Sequence, residues 1–290
     1  MRKTRAIAAA GALALALAAS ACGGDDADST GESKSFAAGS TMQKLKDAGK
    51  LRVGTKFDQP GFGLEQLRGK PDGFDVEIAK IIAAQLDIPE DEIEYTETPS
   101  SIREQVLQQD KVDIVVATYT ITDKRKQVVD FAGPYYIAGQ TLMVKVDNTD
   151  ITGPESFEDG TKKVCSVINS TPAINIEKYL KNKTKQLVLF DTYQKCVTAL
   201  KSGRVDAVTS DNVILTGFIA TSEGEFALAG TAFTDEPYGI GVKKGDKAFR
   251  NFINDTLEAS FEDGSYARAW KVSAGEYDPS VPRIPTVDRY

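Results

Sequence analysis

After residue 50 the apolar positions switch repeatedly between the spacing of a strand and that of a helix. Residues 51–56, LRVGTK, alternate apolar and polar and predict a strand, and FDQPGFG over 57–63 reads as a turn-rich loop. Gly73 leads into a predicted helix over 74–86, with Phe74, Ile78, Ile81, Ile82 and Leu86 on one face. Residues 93–96 read as a strand, 100–109 as a helix and 112–116 as a buried strand. A short helix is expected earlier, over 41–48, capped by Ser40 or Thr41. This β-α-β-α-β order predicts an open α/β sheet, in which ligands sit beyond the carboxyl ends of the strands. Lys56, Ser100 and the stretch 118–125 all fall at such ends or in the loops that follow.

A second series follows. Residues 141–146, TLMVKV, predict a strand leaving the first lobe. Strands are then expected over 163–167, 186–190 and 205–209, alternating with helices over 171–180, 192–202 and 212–220. Residues 238–242 read as the return crossing and 247–270 as helices packing back on the first lobe. The expected fold is α/β in two lobes, each an open mixed sheet flanked by helices, joined by a two-strand hinge. Lobe 1 would take residues 41–142 and 241–276, and lobe 2 residues 143–240. The tail 277–290, with Pro279, Pro282 and Pro285, is expected to be extended and peripheral.

The amino-terminal pattern is of another kind. Arg2, Lys3 and Arg5 precede an Ala/Leu-rich run too short to span a membrane, the layout of a secretory signal peptide over 1–21. The small residues before Cys22 resemble a bacterial lipobox, with Ala19 where Leu is usual. Lipidation of Cys22 would tie the chain to the outer face of the cell membrane; ordinary cleavage after Ala21, leaving a free Cys, is the alternative. Residues 22–40 are Gly-, Ser- and Asp-rich and read as a flexible tether.

Composition narrows the chemistry. The 290 residues are 41% hydrophobic and 27% charged, ordinary for one large or two medium globular domains. Formal charge is −7, from 35 basic against 42 acidic residues, and more negative once Arg2, Lys3 and Arg5 are removed. An acidic chain argues against a nucleic-acid partner. There is no His, which removes Ser-His-Asp and Cys-His catalysis and every His-ligated zinc site. No metal or cofactor is expected.

The densest chemistry lies in ATYTITDKRKQVVDFAGPYY, residues 117–136. Thr118, Thr120 and Thr122 end a strand and open a helix bearing Arg125, a grouping suited to gripping a carboxylate through N–H groups, hydroxyls and a guanidinium fork. A capped helix with its Arg in solvent is the plain alternative.

With the helix that begins Gly73-Phe-Asp-Val-Glu-Ile, this stretch resembles the signatures of family 3 extracellular solute-binding proteins, the amino-acid receptors of ABC importers. The resemblance covers nearly all of the mature chain. It implies a type II periplasmic-binding-protein fold and a monomeric receptor that closes on an amino acid and delivers it to a membrane permease with its ATPase. It places the ligand's α-carboxylate on Arg125, Thr118 and Thr120 with Asn169, Ser170 and Thr171 from the second lobe, and the α-ammonium on Asp211, with Asp206 as rival. Lys56 and Arg103 match basic positions of glutamate and aspartate receptors, where they would hold a second carboxylate, and Ser100 could add a hydroxyl. L-Glutamate is the expected ligand, with aspartate and glutamine as rivals. Phe57, Phe62 and Tyr136 would wall the pocket or pack the core. In an oxidising compartment Cys165 and Cys196, at places where the glutamate-binding branch carries Cys, read as a disulfide, with two buried thiols as the alternative. A dehydratase-like enzyme on the same fold would have to use Glu97 or Glu104, and a sensor subunit would share the ligand chemistry.

Overall fold

The computed structural model describes residues 34–67 and 69–290. The expected export signal, Cys22 and the first part of the expected tether lie outside the described residues. The tether reading fails for residues 34–40: the Phe36 ring meets Phe252 edge-on at 5.5 Å, Lys34 N–H donates to Asp87, and Ser40 caps the first helix. Phe36 is the one large apolar residue of that stretch, enough to dock it.

In chain order the elements are α1 Thr41–Ala48, β1 Leu51–Thr55, β2 Asp58–Gln59, β3 Gly63–Glu65, β4 Pro71–Asp72, α2 Phe74–Gln85, β5 Ile93–Glu97, α3 Arg103–Gln108, β6 Ile114–Val115, α4 Asp123–Lys126, β7 Val129–Ala138 and β8 Gln140–Lys145. They continue with β9 Val164–Val167, α5 Thr171–Asn175, α6 Lys183–Gln186, β10 Leu187–Phe190, α7 Tyr193–Lys201, β11 Ala207–Asp211, α8 Asn212–Ala220, β12 Phe226–Ala229, β13 Glu236–Lys243, α9 Lys247–Asp263 and α10 Ser265–Lys271.

Two five-stranded mixed sheets result, in the orders β5-β1-β6-β13-β7 and β10-β9-β11-β8-β12, with a small three-stranded sheet β2-β3-β4 on the first lobe. Within the first large sheet β1 runs parallel to β5 and β6, while β13 is antiparallel to β6 and β7. In the second, β9 is parallel to β10 and β11, and β8 is antiparallel to β11 and β12. This is the two-lobed type II arrangement. The chain leaves the first sheet with β7, enters the second with β8 across Gly139, and returns with β13, whose Glu236 already pairs with Ala138. The sheets therefore change at 139 and just before 236, earlier at both places than residues 142 and 240.

Two strands escape the periodicity. β7 carries Pro134, which has no N–H to donate, and the ladder to β13 shifts register between Tyr238 and Ile240 opposite it. β12 reads FALA, too short and even to stand out. The helix expected over 171–180 is shorter than its pattern: α5 ends at Asn175 and one 3₁₀ turn, Ile176–Tyr179, tightens its end.

The first lobe's core is aromatic. Phe74 meets Trp270 and Tyr266 edge-on at 5.1 and 5.3 Å, and Tyr136 stacks on Trp270 at 5.5 Å. Phe62 is 1% exposed among the same rings. Gly73 is required where α2 begins: its φ is +134°, and a Cβ there would lie 2.3 Å from Phe62 C. The second lobe packs β9, β11, α7 and α8 around Val208, Leu215 and a Cys165–Cys196 disulfide that ties β9 to α7. Residues 278–290 form no helix or strand and lie on the first lobe, where Asp288 N–H donates to Gly133 O and Tyr290 Oη accepts from Phe131 N–H. Among the described residues no helix is long and apolar enough to cross a membrane.

Candidate ligand-binding site

The two large sheets meet with the carboxyl ends of β1, β6 and β11 at the junction, as an open α/β sheet demands of a site. There Gln59, Ser100, Arg103, Thr118, Ser170, Thr171 and Asp211 surround a cavity of about 10 Å³, room for about one water.

Thr118 follows β6 with φ of +43°, an uncommon conformation for a β-branched residue. Asp75, at the start of α2, holds it there: Oδ2 accepts from Thr118 N–H at 2.8 Å while Oδ1 accepts from Tyr135 O–H at 2.5 Å. The Thr118 hydroxyl reaches Gln59 Oε1 at 3.0 Å. Turned this way, the carbonyls of Ala117 and Thr118 receive Arg103 Nη1 at 3.0 and 3.3 Å, and the guanidinium lies 4.2 Å from the Tyr119 ring centroid. Lys56, 3% exposed, donates to Ser100 Oγ at 2.9 Å. Burial, with Arg103 nearby adding like-charge repulsion, lowers its ammonium to about 7.

Arg125, behind the N-capping hydroxyl of Thr122, is committed to contacts that bridge the lobes. Its Nη1 donates to Thr120 O at 2.7 Å, its Nη2 to Asn169 O at 3.0 Å, and its Nε lies 3.4 Å from Glu104. It faces a neighbouring groove of about 450 Å³ rather than the small cavity. Burial pulls its guanidinium down to about 10, with Arg103 second. Thr120 meets Thr171 across the cleft, hydroxyl to hydroxyl at 3.1 Å. Ser170 caps α5 through Ala173 N–H at 3.1 Å.

From the second lobe Asp211, 2% exposed at the end of β11, accepts from Tyr238 O–H at 2.6 Å. Burial, then Glu236, pushes its carboxyl up to about 7. Asp206 is exposed and accepts from Lys163 N–H at 2.7 Å, well outside the cavity. Among the described residues, Arg103 Nε and Asp211 Oδ1 are buried with no hydrogen-bond partner. A donor on one lobe and an acceptor on the other are thus left open at one cavity.

The nine predicted binding residues converge on this junction, though Lys56, Thr120 and Arg125 stand behind or beside the cavity. Sequence reasoning missed Gln59, Tyr193, Pro172 and Ile214 among the lining residues. Gln59 and Tyr193 follow the ends of β1 and β10, so the rule that singled out Lys56 could have found them. Phe62 and Tyr136 belong to the core, and Tyr193 is the aromatic wall. Glu97 is exposed at the end of β5, and Glu104 is engaged with Arg125.

Residues 51–271 match the model of the bacterial extracellular solute-binding proteins, family 3, and the chain belongs to that family. It is 39% identical over 239 residues to the glutamate-binding protein GluB of Corynebacterium efficiens, covering 79% of this chain and 80% of that one. It is 40% identical over 252 residues to the ABC transporter glutamine-binding protein GlnH of Bacillus subtilis, covering 87% and 90%. Among solved structures, an ancestral arginine-binding protein bound to glutamine superposes with a TM-score of 0.71 at 36% identity, over 78% of this chain and 97% of that one.

Proposed function

We propose that this chain is the substrate-binding lipoprotein of an ABC importer, anchored through Cys22 outside the cell membrane, and that it captures an acidic amino acid, L-glutamate, by lobe closure. The observation that carries this reading is the open pair at the cavity: Arg103 Nε on one lobe and Asp211 Oδ1 on the other. Once the lobes part to enlarge a cavity that here has room for about one water, a zwitterion would satisfy both at once, its carboxylate on the guanidinium and its ammonium on the carboxylate. With Arg125 engaged by Glu104 and facing the neighbouring groove, Arg103 at the cavity and Lys56 behind it are the two basic side chains left for the ligand, with room for a carboxylate besides the one that the Arg103 fork would hold. A second carboxylate would suit this pair, and a cationic side chain would be repelled by it. Aspartate shares this chemistry one methylene shorter. Glutamine is the second reading, favoured by the identity to the Bacillus protein.

Ligand contacts made in both lobes favour the closed arrangement over an open one, and the closed shape is what a permease would recognise. Micromolar capture needs about 8 kcal/mol net, within reach of several charge-assisted bonds after desolvation. The test is calorimetric titration with L-glutamate after unfolding and refolding to strip carried-over ligand. Saturable micromolar binding, lost in Arg103→Ala, supports the reading; heat with glutamine and none with glutamate refutes the acidic assignment.

A further inference from the structure

We propose that Asp58 caps α7 across the cleft, so that lobe closure completes a helix which the second lobe leaves uncapped. The first N–H groups of a helix have no partner within it. At α7 the residue placed to serve them, Thr192, has extended backbone but makes no side-chain cap bond. The place is taken from the other lobe: Asp58 Oδ2, on β2, accepts from Tyr193 N–H at 2.8 Å across 135 residues. The carboxylate also faces the positive end of the α7 dipole.

The same hairpin presses on the next helix. A Cβ on Gly217, within α8, would lie 2.5 Å from Pro60 O, so only glycine lets the β2–β3 turn come this close. The disulfide holds α7 to β9 from behind, so the capped end cannot drift without its sheet. Asp58 is flanked by Gln59, and Tyr193 and Gln59 both line the cavity. The cap therefore positions one cavity residue on each lobe without touching the ligand. It is a positioning contact whose effect falls on how long the closed state lasts.

The part of this proposal that concerns ligand rests on the amino-acid receptor reading, and the test separates the two. Asp58→Ala and Asp58→Asn are compared with the wild-type chain, disulfide intact, by stopped-flow dissociation of L-glutamate and L-glutamine and by hydrogen exchange at the Tyr193 amide, with saturating amino acid and without it. Asp58→Ala is expected to speed dissociation about three- to tenfold, by the same factor for each ligand that binds. Asp58→Asn, still a good cap, is expected to recover most of that loss. Tyr193 N–H should exchange faster in Asp58→Ala than in the wild type. Equal exchange at saturating amino acid overturns the proposal. So does a loss confined to glutamate, because Asp58 also lies near Lys56 and would then be acting on its charge. If neither amino acid binds, the receptor reading fails, and exchange alone decides the cap: faster in Asp58→Ala supports it, equal overturns it.

Discussion

Lys56 is buried at the cleft beside Ser100, where its charge depends on what lies next to it. Burial holds its ammonium at about 7 against an ordinary 10.5, so above neutral pH much of it is unprotonated in the free chain. A ligand carboxylate beside it would raise it again, and binding would draw in a proton. Affinity for L-glutamate should accordingly fall between pH 7 and pH 9, with heats that change with the ionisation enthalpy of the buffer. Lys56→Met should remove that slope and narrow the preference for glutamate over glutamine; an unchanged slope would put the proton elsewhere. Asp75 and Asp211 titrate the other way. Each is raised by burial from 3.8 to about 7, so the folded chain holds protons that the unfolded chain has lost between those values. The stability they contribute is full below about pH 4 and disappears as pH rises through 7. The melting temperature of the ligand-free chain should therefore drop from pH 5 to pH 7.5, and Asp211→Asn should shallow the drop. Much at this scale was legible in the sequence, because Lys56, Arg103, Thr118 and Asp211 sit just past strand ends, where local pattern points. What Asp75 does was not, because its contact to Thr118 spans 43 residues and no local spacing encodes it.

At the scale of elements, the disulfide makes the sharpest claim. It closes a loop of 31 residues within one lobe, and removing it should cost about 3–4 kcal/mol of stability. Urea unfolding of the Cys165→Ala, Cys196→Ala double variant, with matched slopes, measures this directly. A loss below about 1 kcal/mol would mean that the reduced chain keeps this loop nearly closed when unfolded. Helices with one strong apolar face, such as α2, were readable nearly to their ends. β7 was not, since Pro134 interrupts the pattern of a strand that stays paired on both sides of it. Its role as the outgoing crossing comes from pairing with β13, a non-local fact.

For the whole molecule, closure links binding to stability. If L-glutamate binds the folded chain alone, a thousandfold excess over Kd should add about 4 kcal/mol, read as a higher melting temperature. A null shift at saturating glutamate, with a shift on glutamine, would reassign the ligand. The two-lobe division was visible in the sequence as two α/β series, but its edges were misplaced by a few residues because Gly139 and Asp235 mark the change only through pairing. That pairing has a consequence for synthesis. All five strands of the second sheet lie between Gln140 and Ala229, so that lobe can be finished as its residues appear. The first lobe cannot. β13 fills the gap between β6 and β7, and it is made roughly a hundred residues after them. Until Glu236–Lys243 arrives, two strand edges stand unpaired, the kind of surface on which nascent chains stick to one another. A chain emerging amino end first thus completes its second lobe before its first, and must shelter the older half while the younger one folds.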